Sequence, residues 1–114
     1  MAHQRRRRFL AVNVPNRKYI TNLPVGAIVE VPGVTTRQGV QGVRAGELPT
    51  GIAALCRTQI AIRELTARAA VERSRSAALQ ALLLDPVVPD IGTAEKLLAR
   101  LLKANARYLP PLKG

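Results

Sequence analysis

The sequence is short of the residue types on which most self-contained active sites depend. It has one cysteine, one histidine and seven acidic residues among 114. A lone cysteine cannot form an internal disulfide, so we expect a reducing, cytoplasmic environment. His3 is the sole histidine and lies in the basic N-terminal stretch, which excludes a catalytic triad and a zinc site.

Aromatic residues and long apolar runs are also scarce. Aromatics make up 3% of the chain and tryptophan is absent, so we expect an aliphatic core. No apolar run approaches the ~20 residues of a membrane-spanning helix, and no membrane partner is expected. The run Phe9–Val12, behind four arginines, is too short for the apolar core of a signal peptide.

Positive charge, in contrast, is abundant. Eighteen lysines and arginines give a formal net charge of +11. This excess indicates either an anionic partner, such as nucleic acid, or simply arginine-rich solvated surfaces. The scarcity of aromatic side chains for base stacking favours the second interpretation. We expect residues 1–8 to form a basic, disordered leader, whose arginines Arg5–Arg8 would make any phosphate contacts.

Three short segments predict the strands of a small sheet, mixed or antiparallel: residues 9–14, 27–31 and 40–45. Pro15 is expected to end the first strand, and Pro32 with Gly33 the second. Residues 16–24 and 35–39 have the composition of loops.

The C-terminal half predicts three helices. A long helix begins at Pro49, which suits a first turn, and runs to Ala70. A polar joint at residues 72–76 separates it from a second helix that ends at Asp85. A third begins at Asp90, a predicted N-cap, and repeats leucines with helical periodicity. The fold class is therefore α+β, a small twisted sheet of about three strands followed by a long helix and two shorter helices.

The long helix has two further features. Glu64 and Arg68 are spaced for a surface ion pair. Most of its circumference is apolar, which predicts packing partners on more than one side. Gln59 and Arg63 interrupt that apolar surface, where they would face either a ligand cleft or a polar subunit interface.

Other polar residues have both a functional and a structural interpretation. Asn13, Asn16 and Asn22 cluster beside a strand end, where binding residues often lie, although turn formation explains them about as well. Asp85 and Asp90 are interpreted as helix caps rather than a catalytic pair. Cys56 is expected to be a buried, inert thiol.

Several separated motifs together resemble the C-terminal region of family 4 glycoside hydrolases. They are Val12–Pro24, Ala27–Pro32, Gly46–Pro49, Arg57–Ile60, Arg63–Thr66 and Ala78–Pro86, in the family's order. The resemblance covers residues 9–110, with residues 111–114 as a tail, and corresponds to roughly the last quarter of a family member. It implies part of a C-terminal domain like that of lactate and malate dehydrogenases.

The resemblance also implies an activity for the complete enzyme. Family members cleave glycosides by oxidising the sugar with NAD, eliminating the glycosidic group and returning the hydride, while a manganese ion polarises the sugar oxygens. Their glycine fingerprint, metal-binding cysteine and histidine, and tyrosine base belong to upstream segments. Neither Cys56 nor Tyr19 matches these positions. We therefore predict no catalytic, cofactor-binding or metal-binding residue in this chain and no activity for it alone.

What the resemblance transfers is support for a sugar pocket. The substrate-pocket candidates are Asn13, Asn16, Asn22 and Arg63. The implied partner is a missing NAD-binding half or a second copy of the chain in a homo-oligomer. The chain would be a C-terminal fragment or domain of the enzyme, and the alternative is a small basic protein that binds nucleic acid or an acidic partner.

The chain also departs from the family pattern at three places. Lys18 stands where the family usually has glycine, which is unfavourable if the backbone φ is positive there. Gln41-Gly42 replaces a usual His-Pro. Residues 72–76 replace a glycine-containing turn, so we expect a helix C-cap to be lost.

Overall fold

A computed structural model of the chain describes residues 7–114. Arg5 and Arg6, and most of the predicted basic leader with them, lie outside the described residues. The elements are, in order, β1 (Arg8–Pro15), β2 (Ile28–Thr36), β3 (Gly39–Gly42), α1 (Thr50–Glu72), α2 (Arg75–Leu84) and α3 (Ile91–Ala104). This order confirms the predicted α+β class. The chain divides into two units, one up to Arg57 and the other from Thr58 to Gly114.

The sheet of the first unit is antiparallel, in the order β1-β2-β3. β1 starts at Arg8, inside the predicted leader. The preceding residue, Arg7, exchanges two hydrogen bonds with Thr35: its N–H donates to Oγ1 at 2.8 Å, and its carbonyl accepts from the Thr35 N–H at 2.9 Å. The start of the described chain is therefore tied to β2.

The prediction that Pro32 ends the second strand is wrong, because a bulge in β1 accommodates it. The pairing passes from Phe9 opposite Gly33 to Val12 opposite Val31, so two residues of β1 face Pro32 alone. A bulge interrupts the ladder, and the missing N–H of proline is tolerated there.

The extension of β2 shortens the loop that follows it. Thr35 and Thr36, expected in a loop, pair with Val40 and Gly39 of β3. The turn then consists of Arg37 and Gln38. β3 accordingly begins one residue earlier than predicted and ends at Gly42 rather than near residue 45.

The joint between α1 and α2 keeps the geometry of a C-cap, contrary to prediction. Arg73 has a φ of 55°, and the Ser74 N–H donates to the Ala69 carbonyl at 3.0 Å. This is the hydrogen bond that typically closes a helix with a left-handed residue. The Ser74 hydroxyl then accepts from the Ala77 N–H at 3.1 Å and caps α2.

The predicted ion pair on α1 has a different partner. Arg68 Nε donates to Glu72 at 3.1 Å rather than to Glu64. Both spacings are four residues, but Glu72 lies C-terminal to Arg68 in the chain. Both side chains are more than half exposed, so this pair adds little to stability.

The buried core of each unit is aliphatic, as predicted. The first unit buries Ile20, Leu23, Val29, Val31 and Ala53, and the second buries Ala69, Ala77, Ala81, Ala94 and Leu98. In the second unit, α2 packs against α3. The C-terminal segment is joined to the α1–α2 joint by Lys113, whose carbonyl accepts from the Arg75 N–H at 3.1 Å.

Candidate functional site

The predicted pocket asparagines Asn16 and Asn22 lie in the loop between β1 and β2, which we call the asparagine loop (residues 16–24). Asn16 follows β1 directly and is completely buried. Its Nδ2 group donates to the carbonyls of Ile20, Leu23 and Pro24 at 2.9–3.1 Å, and its Oδ1 accepts from the Ile20 N–H at 3.1 Å. The side chain thus replaces the backbone hydrogen bonds that an irregular loop lacks.

Asn22 connects the asparagine loop to the beginning of α1. Its side chain donates to the Leu48 carbonyl at 2.8 Å and accepts from the Leu48 N–H at 3.0 Å, as a paired strand would. Arg57 of α1 donates from Nη1 to the Asn22 carbonyl at 2.9 Å. The turn-forming interpretation of the sequence therefore accounts for the hydrogen bonds of Asn16 and Asn22.

The other two pocket candidates are exposed. Asn13 lies in β1 opposite Glu30 of β2. Arg63 lies on α1 in the second unit, and its Nη1 donates to Gln59 Oε1 at 3.3 Å. The structure therefore brings Asn16 and Asn22 into one loop. The assignment of all four to a sugar pocket stays a prediction.

A group of cations that the sequence analysis did not select lies around the same loop. Arg17, Lys18 and Arg44 line an open cavity of about 500 Å³, together with Tyr19 and Thr21. Arg17 and Lys18 are adjacent in a turn-rich loop, and this could have indicated the group from the sequence. Arg44, however, is recruited by the pairing of Ile20 with Gly46, which the sequence does not reveal.

The acidic residues Asp85 and Asp90 have structural roles at helix ends, as predicted. Asp90 accepts hydrogen bonds from the Thr93 N–H at 2.7 Å and from the Thr93 hydroxyl at 3.0 Å. These bonds, the backbone one foremost, hold the pKa of Asp90 below its usual value. Asp85 follows α2 and accepts from the Val87 N–H at 3.0 Å.

The described residues offer no metal centre. Within residues 7–114, no group of three or more histidine, cysteine, aspartate or glutamate side chains is placed to hold a metal ion. Cys56 is half-buried on α1. Over the same part of the chain, none of the helices combines the length and apolar character needed to cross a bilayer.

Comparison with known proteins agrees with this architecture. A profile described as the family 4 glycosyl hydrolase C-terminal domain matches residues 1–88. The chain belongs to this family. The α-glucosidase of Erwinia rhapontici is 48% identical to this family 4 chain over 77 residues, which are 68% of the chain and 17% of the relative.

Solved structures of family 4 enzymes have the same fold. A 6-phospho-α-glucosidase from gut microorganisms, crystallised with NAD and glucose 6-phosphate, matches with a TM-score of 0.89 and 40% identity, over 97% of this chain and 25% of that one. The 6-phospho-β-glucosidase of Thermotoga maritima, crystallised with manganese, NAD⁺ and glucose 6-phosphate, gives a TM-score of 0.85 at 29% identity, over 96% and 26%.

The family 4 chain described here thus spans between 17% and 26% of the length of these relatives. Its described residues do not fit a manganese centre, because they bring no cluster of metal-binding side chains together. Its sequence also carries no glycine-rich phosphate loop for a dinucleotide.

Proposed function

We propose that this chain is the C-terminal part of an NAD-dependent and metal-dependent glycosidase that hydrolyses O-glycosyl bonds. Its membership in family 4 is the observation that carries the proposal. Solved relatives that contain this fold bind NAD, and two of them bind manganese as well. The oxidation of the sugar and its reversal belong to the part of the enzyme that holds these groups.

We further propose that the chain is inactive by itself. The support is chemical: redox-assisted cleavage needs a bound hydride acceptor and a metal, and residues 7–114 present no metal-binding cluster. The seven acidic residues of the sequence are scattered, and Asp85 and Asp90 serve helix ends. The acidic residues therefore do not provide the paired carboxylates with which ordinary glycosidases work.

The proposed partner is the NAD-binding portion of the enzyme. Apolar side chains without cover support such a partner: on α1, Leu55 is 67% exposed and Val71 is 85% exposed. The second unit also has an open cavity of about 320 Å³ whose lining includes Ile62, Ala69 and Leu98. Surfaces of this kind are typical of protein interfaces.

Within the complete enzyme, the four pocket candidates divide into two roles. Asn16 and Asn22 fix the backbone of the asparagine loop, because their side chains are occupied by loop hydrogen bonds. Asn13 and Arg63 are exposed and are the candidates for direct contact with the sugar. A cytoplasmic location is part of the same proposal, because the chain has a single cysteine.

A complementation assay tests this function. The chain, the NAD-binding portion of a family 4 relative, and their mixture are each incubated with an aryl glycoside, NAD⁺ and Mn²⁺. We expect turnover from the mixture alone. Turnover by the chain alone would overturn the inactivity, and a mixture that neither reacts nor co-purifies would contradict the partnership.

A matched pair of variants locates the interface. Leu55→Asp combined with Val71→Asp is expected to abolish co-purification while leaving the circular dichroism spectrum unchanged. Arg100→Ala, an exposed change on α3, is expected to leave co-purification intact. Sedimentation of the chain alone distinguishes this partner from a second copy of the chain, which would give a dimer without any added portion.

A further inference from the structure

One side of α3 carries a line of positive charge to which the proposed glycosidase function gives no role. Lys96, Arg100 and Lys103 follow one another at intervals of four and three residues, and Arg107 comes four residues later, in the turn after the helix. Residues at these intervals lie on one side of a helix. All four are exposed. We call them the α3 cation stripe, and its helical part extends over about 10 Å.

The charge of the α3 cation stripe is not used within the described chain. Over residues 7–114, no hydrogen bond or ion pair is recorded for the side chains of its three helical members, whereas Arg68 of α1 donates to Glu72. Arg107 lies over the ring of Tyr108, 5.7 Å from its centroid. The single carboxylate of α3, Glu95, lies about 100° around the helix from the stripe. The stripe is therefore available to an external anion.

The opposite side of α3 is already occupied. Ala94 and Leu98 are buried, and α3 packs against α2. A helix that binds a membrane surface needs its apolar face for the bilayer. Because α3 uses that face inside the second unit, its cations are not part of such a membrane-binding helix.

The surface beside the α3 cation stripe is formed by small residues. At about 100° per residue, the positions that flank it on the helix are Gly92, Thr93, Ala99 and Ala104. Interfaces between proteins depend on large side chains that become buried at the centre of the contact. Contacts with a nucleic-acid backbone depend instead on cations that reach the phosphates. The stripe therefore suits a phosphate backbone better than an acidic protein.

We propose that the α3 cation stripe binds the phosphate backbone of a double-stranded nucleic acid. A duplex is favoured over a single strand, because aromatic residues for base stacking make up only 3% of the chain. The family 4 profile ends at residue 88, before α3, so the stripe is not among the features that establish family membership. The proposal needs neither NAD nor a metal, and it stands or falls separately from the glycosidase function.

Fluorescence anisotropy with the 114-residue chain tests the proposal on labelled DNA and RNA duplexes of the same length. We expect saturable binding at low salt, with a logarithmic affinity that falls by about 0.9 per contacted phosphate for each tenfold rise in salt. Equal affinities would assign the stripe to backbone charge alone, and a preference for one duplex would assign it to that backbone geometry. Absence of salt-dependent binding to both duplexes would overturn the proposal.

Paired variants distinguish the stripe from diffuse positive charge. Lys96→Gln combined with Arg100→Gln is expected to reduce the salt slope by about 2, because two phosphate contacts are lost. The control, Arg37→Gln combined with Arg63→Gln, removes the same charge from exposed positions elsewhere and is expected to keep the slope. Equal losses would show that only net charge matters. An unchanged slope in the stripe variant would assign binding to other cations, such as Arg5–Arg8. Either result would overturn the proposal.

A charge-keeping variant and a competitor complete the test. Arg100→Lys is expected to keep the salt slope, because the number of phosphate contacts is unchanged, and a reduced slope would contradict a contact through charge at this position. Poly-L-glutamate is expected to displace the labelled duplex less effectively than unlabelled duplex at the same concentration of charge. Equal displacement would assign the stripe to an acidic protein partner and overturn the nucleic-acid proposal.

Discussion

At the scale of single residues, Asn16 and Asn13 show how the same side chain can have unrelated roles a few positions apart. Asn16 is 0% exposed, and both polar atoms of its side chain are hydrogen-bonded within the asparagine loop. Asn13 is exposed on β1. The buried residue is therefore a structural element of the loop, whereas the exposed one is accessible to solvent.

Replacement of Asn16 by alanine is expected to destabilise the chain strongly. It would leave the carbonyls of Ile20 and Leu23 and the Ile20 N–H buried without these partners. An unsatisfied buried polar group is costly, so we expect a loss of about 2–3 kcal/mol in the free energy of unfolding. Urea denaturation measures it.

Asn13→Ala is the matched control for this experiment. An exposed change of this kind is expected to alter the free energy of unfolding by less than about 0.5 kcal/mol. If the two variants proved equally stable, the hydrogen bonds of Asn16 would not be what holds the loop.

Asp90 gives the chain a predictable response to acid. Its pKa is lowered in the folded state by the hydrogen bonds from Thr93. A carboxyl group with a lowered pKa stabilises the folded state above its unfolded pKa, and this contribution is lost as the pH falls through the folded pKa. Asp90→Asn keeps a capping oxygen but removes the titration.

We therefore expect Asp90→Asn to lose less stability than the parent chain when the pH is lowered below the usual pKa of an aspartate. Thermal unfolding of both proteins at a series of pH values measures the difference. Parallel curves for the two proteins would show that Asp90 does not contribute to the acid response.

At the scale of secondary structure, the α1–α2 joint is an example of a geometry kept against sequence preference. Arg73 adopts a φ of 55° at the end of α1. Arg73→Gly is expected to stabilise the chain by about 0.5–1 kcal/mol, because glycine accepts a left-handed conformation at little cost. Thermal unfolding measures the gain.

Arg73→Ala separates conformation from charge, since it removes the guanidinium but keeps the Cβ atom. We expect no comparable gain from it. A gain equal to that of the glycine variant would mean that repulsion among the cations of the joint, and not the backbone conformation, limits stability.

The elements that the sequence predicts well are those whose signals are local. The start of α3 follows from Asp90 and Thr93, three residues apart, and its length follows from the spacing of its leucines. The end of β2 was predicted wrongly, because Pro32 is tolerated within the strand only through a bulge in the opposite strand. Arg44 joins the open cavity beside the asparagine loop through a similar long-range pairing, that of Ile20 with Gly46.

At the scale of the whole molecule, the net charge and the exposed apolar side chains have opposite effects on self-association. The chain carries a net charge of +11, and copies of it repel one another. It also exposes large apolar side chains, among them Leu10 at 98% and Val71 at 85%. Such side chains favour association when nothing else covers them.

Added salt should therefore shift the isolated chain toward self-association. At 0.1 M salt, the repulsion between like-charged copies is largely screened beyond about 10 Å. The apolar attraction is not screened. We expect the weight-average mass in sedimentation equilibrium to rise as sodium chloride is increased. The double variant Leu10→Lys with Val71→Lys is expected to remain monomeric over the same range.

The control adds the same charge without removing apolar surface: Gln41→Lys combined with Gln80→Lys, both at exposed positions. It should still associate, although at higher salt than the parent.

The direction of the salt effect also separates this behaviour from nucleic-acid binding. Nucleic-acid binding weakens with added salt, because the release of counterions that drives it becomes less favourable. A chain whose mass stays constant with salt would show that its apolar surfaces do not attract one another. Binding of a partner such as the NAD-binding portion would then depend on specific contacts with those surfaces and not on their apolar character alone.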